Sequence, residues 1–220
     1  MYRSQQTYVP AFMNNAETAK FNMIEQQIRP WEVLDNQVLS TLSQVNREDF
    51  VRETYKGLAY ADCQIPLGNG VSMLPPTIEG RMLQALLISA DDEVLEVGSG
   101  CGYVTACLAH LAQRVNSIDS NSDMIEFAKT NVASCGLDNV GFEQHDLAQI
   151  DTAEAYDAIA VTGSLPGVPE NLKQALKTGG RMFVIVGYSP VMQALLITRI
   201  DKSEWTTQSL FETDLPRLKS

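Results

Sequence analysis

The sequence predicts an α/β fold, a mostly parallel sheet covered by helices on both faces, and three observations carry that prediction. From Asp91 onward short apolar runs alternate with amphipathic stretches: EVLEV, residues 104–112, RVNSID, residues 123–133, NVGFEQHD, YDAIAVTG, residues 169–176 and RMFVIVG. Parallel strands joined by crossover helices produce that alternation. A loop with glycines at alternate positions joins the first of these strands directly to a helix. Finally, 220 residues with 45% apolar and 20% charged side chains suffice for one well-filled core and do not resemble a disordered chain.

The first dozen residues carry no periodic signal and are expected to be irregular. Between residues 16 and 28, Phe21, Ile24 and Ile28 recur at helical spacing, and Pro30 is expected to stop that helix. Asp35 suits the N-cap of a second helix whose apolar face is Val38, Leu39, Leu42 and Val45. Residues 60–76 read as a loop, with Gly68, Gly70, Pro75 and Pro76 inside it. Thr77 is expected to cap a third helix that turns Ile78, Met82, Leu83, Leu86 and Leu87 inward. Near the C-terminus MQALLITRI and TTQSLFETD lie a few residues apart and read as an antiparallel hairpin closing the sheet. The expected organisation is one domain over 1–220, with an N-terminal helical annex and loop over 1–76 and the α/β core over 77–220.

Composition excludes several classes. A net charge of −11, from 27 acidic and 16 basic side chains, repels a phosphate backbone and counts against nucleic-acid binding. No apolar run is long enough to span a bilayer, so no membrane partner is expected. The start, MYRSQQTYVP, lacks the basic and apolar stretches of a secretion signal. Cys63, Cys101, Cys107 and Cys135 form no C-x-x-C pair, and only His110 and His145 could assist them; free thiols in a reducing cytoplasm are expected, with no metal site.

The most informative segment is VLEVGSGCGY, residues 94–103. Gly98, Gly100 and Gly102 let the backbone turn with positive φ and let a ligand approach closely, at the carboxyl end of a strand where open α/β sheets bind ligands. A dinucleotide loop needs a glycine where Tyr103 stands. The spacing here is E-x-G-x-G-x-G, and Glu96, just ahead of the loop, is unwelcome beside a pyrophosphate. It suits a ligand carrying an ammonium group, as the methionine part of S-adenosylmethionine does. Asp119 ends the second strand, where its carboxylate can accept from both ribose hydroxyls, and Asp146 ends the third, where it could accept from an adenine amino group. Together they predict an adenosine site, and a Rossmann-like class I methyltransferase fold with S-adenosyl-L-methionine as cofactor. Gly98, Ser99, Gly100 and Gly102 would shape its loop, Glu96 set the local charge, and Asp119, Ser120, Asp146 and Leu147 complete the cofactor set. His145 reads as a strand-end side chain partly facing solvent. Cys101 has no base beside it and reads as a small apolar filler.

Beyond that loop, residues 21–187 resemble the protein-L-isoaspartate O-methyltransferase family. MIEQQIRPWEVLDNQVLSTLSQVNREDFV resembles the family's N-terminal helices, LAYADCQIPLGNG the loop that follows, and YDAIAVTGSLPGVPENLKQALKTGGRMFVIVG its fourth and fifth strands with their helix. The resemblance implies a seven-stranded sheet with a reversed last strand, S-adenosylmethionine as methyl donor and a carboxylate as acceptor. Family members carry a stretch like G-x-G-Q-T-I-S-x-P whose hydroxyls face donor and acceptor. The matching stretch here is GNGVSMLPP, in which Ser72 takes the threonine's place, Val71 the glutamine's and Leu74 the serine's. Leucine donates no hydrogen bond, a loss of about 1–3 kcal/mol for a carboxylate held there.

The resemblance thus implies a methyltransferase acting on isoaspartyl residues of damaged proteins, with Ser72 as the polar contact near the transferred methyl. The alternatives are a paralogue with another acceptor, a small molecule among them, over an apolar floor of Val71, Met73 and Leu74, or a cofactor-binding protein that transfers no methyl group.

Overall fold

The computed structural model describes residues 15–219; the expectation for the first dozen residues lies outside them. Helix α1 (Asn15–Asn22) runs on through a π-helical stretch (Met23–Ile28) and a 3-10 turn (Arg29–Trp31). Pro30 therefore does not stop the helix. It sits in the opening turn of the 3-10 segment, where its missing N–H is not needed, and left-handed Glu32 (φ 62°) ends the run. Asp35 caps α2 (Asn36–Gln44), accepting from the backbone N–H groups of Gln37 and Val38 at 2.9 Å each, and Val38, Leu39, Leu42 and Val45 are buried as the periodicity predicts.

The stretch read as a loop contains a small antiparallel hairpin, β1 (Ile65–Gly68) and β2 (Val71–Met73). Helix α3 (Pro76–Leu86) follows. Thr77 is not its cap; its hydroxyl donates to Asp62 at 2.7 Å. Leu87 does not turn inward either: it closes α3 in the left-handed conformation and is 70% exposed.

The sheet then assembles from β3 (Glu93–Val97), β4 (Arg114–Asp119), β5 (Val140–Gln144), β6 (Tyr156–Leu165), β7 (Leu176–Tyr188), β8 (Val191–Asp201) and β9 (Glu204–Thr213). Helices α4 (Tyr103–Leu111), α5 (Ser122–Ser134) and α6 (Glu170–Ala175) join the parallel strands. The order is β5-β4-β3-β6-β7-β8-β9. The pairs from β5 across to β7 are parallel, while β7–β8 and β8–β9 are antiparallel. The reversed strand is thus the penultimate one, and the last runs with the first five. A direct hairpin from β7 to β8 causes this, since a connection of two residues cannot support a parallel crossover.

Two apolar clusters fill the two faces of the sheet, one centred on Val94, Val115 and Phe183, the other on Leu95, Ile118, Ile159 and Val184. Chain order reverses at β3, whose neighbours are β4 and β6. The crevice outside the carboxyl ends of β3 and β6 is therefore where a ligand is expected. Among the described residues no helix is long and apolar enough to cross a membrane, and all four cysteines are unpaired.

Candidate active site

A cleft of about 730 Å³ opens at that crevice. The loop between β3 and α4 forms one wall, with Gly98, Ser99, Gly100 and Cys101, and Glu96 and Asp119 stand beside it. Ser72, Val71, Met73 and Leu74 of the β1–β2 hairpin form the opposite wall. Thr162 and Gly163 of β6 lie between them, and the C-terminal segment 216–219 completes the rim.

Tight backbone geometry sets the loop. Gly98 has φ +100°, and a Cβ there would stand 2.4 Å from the Thr162 hydroxyl oxygen and 2.7 Å from a Leu218 methyl. Only glycine fits. The Thr162 hydroxyl donates to the Gly98 carbonyl at 2.5 Å, fastening the loop to β6. Gly102 serves a different purpose from its neighbours. It lies outside the cleft, and a Cβ there would meet the Ala128 carbonyl oxygen at 3.0 Å, so it permits close packing of α4 on α5.

Glu96 is fully buried beneath the loop, where one carboxylate oxygen accepts from the Thr105 and Ser117 hydroxyls. Its other oxygen, Oε1, has no partner among the described residues. Burial pushes the carboxyl up to about 8, against the pull of the two hydroxyls. Glu79 repeats the arrangement from the other side. Buried in the first turn of α3, it pairs with Arg47, which also donates to the Leu74 and Ala59 carbonyls, yet its Oε1 is unpartnered. Burial pushes this carboxyl up too, and Arg47 pulls against it. The Tyr103 hydroxyl is a third buried polar group, with only the Cys107 thiol beside it among the described residues. All three residues line the cleft.

Asp119 accepts from the Asn121 N–H at 2.9 Å and from the Gly100 N–H at 3.4 Å, which aims its carboxylate across the cleft mouth. Ser120, His145 and Leu147 line a smaller adjoining cleft of about 210 Å³ that shares Gly98, Asp119, Leu218 and Lys219 with the larger one. Asp146 lines neither. It sits just past β5 and caps the turn Leu147–Gln149, accepting from the Ala148 N–H at 2.8 Å, so its carboxylate is committed to local structure. Burial pushes the Cys101 thiol up to about 12, so it remains a neutral filler.

Ser72, Glu96, Gly98, Ser99, Gly100 and Asp119 thus come together, Ser120 and Leu147 lie next door, and Asp146 and Gly102 stand apart. The Ser72 hydroxyl is half-buried with no partner among the described residues. Sequence reasoning missed Glu79, an acidic first-turn residue with no local signal of burial, and Thr162, for which a hydroxyl at a strand's carboxyl end was the available signal. It also missed the segment 216–219, which carried no signal, being irregular and held by backbone bonds. The Leu218 N–H donates to the Ser164 carbonyl at 2.9 Å, the Ser164 N–H to the Pro216 carbonyl at 3.1 Å, and the Ser120 hydroxyl to the Lys219 carbonyl at 3.1 Å.

The family model described as protein-L-isoaspartate(D-aspartate) O-methyltransferase matches residues 18–213. A Rhodopseudomonas palustris protein named protein-L-isoaspartate O-methyltransferase is 35% identical over 190 residues, 86% of this chain and 87% of its own. A Brucella anthropi protein of the same name is 32% identical over 200 residues, 90% and 92% of the two chains. Among solved structures, a Plasmodium falciparum protein described as such a methyltransferase, in complex with S-adenosyl-L-homocysteine, superposes with a TM-score of 0.77. It shares 21% identity and covers 94% of this chain and 99% of its own, which speaks for the fold.

Proposed function

The chain belongs to the protein-L-isoaspartate(D-aspartate) O-methyltransferase family, and on that premise we propose that it methylates the free carboxylate of isoaspartyl residues in damaged proteins, using S-adenosylmethionine. The observation that carries the reading is the single cleft shared by the glycine loop and the β1–β2 hairpin, which puts a donor wall and an acceptor wall face to face. Curated relatives named for this activity support it over a different acceptor. The substrate is then a protein or peptide, met in a reducing, cytoplasmic setting that suits four free thiols.

The residues present fit the cofactor. Unpartnered oxygens of Glu96 and Glu79 make one end of the cleft a site for an ammonium group. The turn at Gly98 gives close access to backbone, and Asp119 offers a carboxylate to ribose hydroxyls, with Ser120 and Leu147 beyond it for the adenine. When bound, S-adenosylmethionine supplies a methyl group already activated by a sulfonium, which an ionised carboxylate can take without losing a proton. Because the acceptor is already ionised, no general base is required of the chain. Its task is to hold the acceptor in line, with Ser72 as the hydroxyl on the acceptor wall, so that catalysis rests on proximity and orientation.

Methyl transfer from labelled S-adenosylmethionine to a short isoaspartyl peptide, with the normal aspartyl peptide as control, tests the proposal. Labelling of the isoaspartyl form alone is expected. No labelling, in protein that binds S-adenosylhomocysteine by calorimetry, would send the search to other acceptors.

A further inference from the structure

The acceptor brings a negative charge into a cleft already lined by Glu79, Glu96 and Asp119. A carboxylate held beside Asp119 needs a cationic donor, and the hairpin wall supplies none: Val71, Met73 and Leu74 are apolar and Ser72 is neutral. Two cations line the cleft, Arg217 and Lys219. Lys219 is exposed and its ammonium donates to the Asn69 carbonyl. Arg217 is different in every respect that matters.

Its backbone is held against the end of β6. Ser164 and Arg217 form a parallel bridge, with the bonds to Pro216 and Leu218 on either side, and the Ser164 hydroxyl also donates to the Leu215 carbonyl at 3.0 Å. The guanidinium is held at two further points. Nη2 donates to the Gly187 carbonyl at 2.9 Å, and the carbon of the guanidinium lies 5.0 Å from the centre of the Tyr188 ring. The remaining terminal nitrogen, Nη1, is buried and donates to nothing among the described residues. No carboxylate among them pairs with Arg217 either. A buried, oriented, unsatisfied cationic donor loses free energy until an anion arrives.

Its location completes the case. Arg217 lines both the main cleft and an open groove formed with Gln64, Tyr188, Ser189 and Asp214. It therefore stands where a peptide lying in the groove would pass its acceptor group into the cleft. We propose that Arg217 is the acceptor-binding residue of this enzyme: its free guanidinium nitrogen holds the isoaspartyl carboxylate, while the peptide backbone lies along the groove beside Tyr188. This inference rests on the isoaspartyl reading above and names the residue that selects a charged acceptor.

The test uses the full chain, an isoaspartyl peptide, and the same peptide with its free carboxylate converted to the neutral carboxamide. In Arg217→Gln the KM for the isoaspartyl peptide is expected to rise about 10- to 100-fold, the range of a lost hydrogen bond to a charged group. The affinity for S-adenosylhomocysteine, read by calorimetry, is expected to change less than about 2-fold. The unmodified protein with S-adenosylhomocysteine bound should favour the charged peptide over the carboxamide in a fluorescence binding assay, and Arg217→Gln should lose that preference. Arg217→Lys should recover part of both effects, and decides the matter should the glutamine variant fold poorly. An unchanged KM and an unchanged preference in the variants, with the unmodified enzyme active, overturn the role of Arg217 and leave the activity standing. An unmodified enzyme that binds S-adenosylhomocysteine yet neither binds nor methylates the isoaspartyl peptide overturns the isoaspartyl reading, and this proposal with it.

Discussion

The two long walls of the cleft are built by opposite means. The donor wall, from Glu96 to Tyr103, grows out of a strand buried on both faces; β3 is paired along its length to β4 and β6, and the loop is fastened by Thr162 and Asp119. The acceptor wall, hairpin and C-terminal segment together, lies outside the sheet. The hairpin is held by side-chain bonds to backbone, such as Arg47 to the Leu74 carbonyl and Lys219 to that of Asn69, and the C-terminal segment by backbone bonds to Ser164 at the end of β6. The difference assigns the tasks: a cofactor of fixed shape meets the wall that cannot adjust, and acceptor choice falls to the wall whose side chains can change without disturbing the sheet. The departures from the family's loop pattern, Val71 and Leu74, both fall on the second wall.

The harshest way to break this contrast is to strike the donor wall. Gly98→Val places branched carbon at φ +100° and against Thr162, so S-adenosylhomocysteine affinity should fall on the order of 100-fold or more by calorimetry. Affinity within a few-fold of the unmodified protein would mean that the loop does adjust. A milder change sharpens the other side. Leu74→Ser should raise kcat/KM for an isoaspartyl peptide by roughly 3- to 10-fold through the restored hydroxyl, with a small loss of thermal stability and no change in cofactor affinity. Equal or lower activity would show that the leucine is fitted to this enzyme's acceptor.

A further test is in pH. Buried Glu96 ionises near 8 in the folded chain, against 4.5 for the free group. Its folded value is raised, so its contribution to stability is fully present below about pH 4.5 and is lost as pH rises through about 8. Glu96→Gln stays neutral throughout. Its urea midpoint should therefore gain on that of the unmodified protein between pH 5 and pH 8, and parallel curves would contradict a neutral Glu96.

Legibility in the sequence follows the same divide. Strands β3, β6 and β7 announce themselves because burial on both faces demands near-continuous apolar runs, and the loop after β3 because only glycines turn so tightly. The hairpin did not, since strands of four and three residues carry too few positions for an alternating pattern to register among Gly68, Gly70 and Pro66. Leu87 misled because apolar spacing cannot tell the last inward turn of a helix from its exposed cap. At Gly102 helix packing and ligand access make the same demand on sequence, the absence of a Cβ, so the glycine alone does not tell the two apart. Pairings across long separations, such as Arg47 with Glu79 or Ser164 with Arg217, leave no local trace at all.

One of these pairings reaches beyond the site. Arg47 is fully buried and ties together the Ala59 carbonyl ahead of the hairpin, the Leu74 carbonyl behind it and the Glu79 carboxylate in α3. None of the three segments can peel away alone without leaving a cation stranded in the core. The chain at Ala59, the exit of the hairpin at Leu74 and the start of α3 are therefore expected to open together, as one unit in native-state exchange.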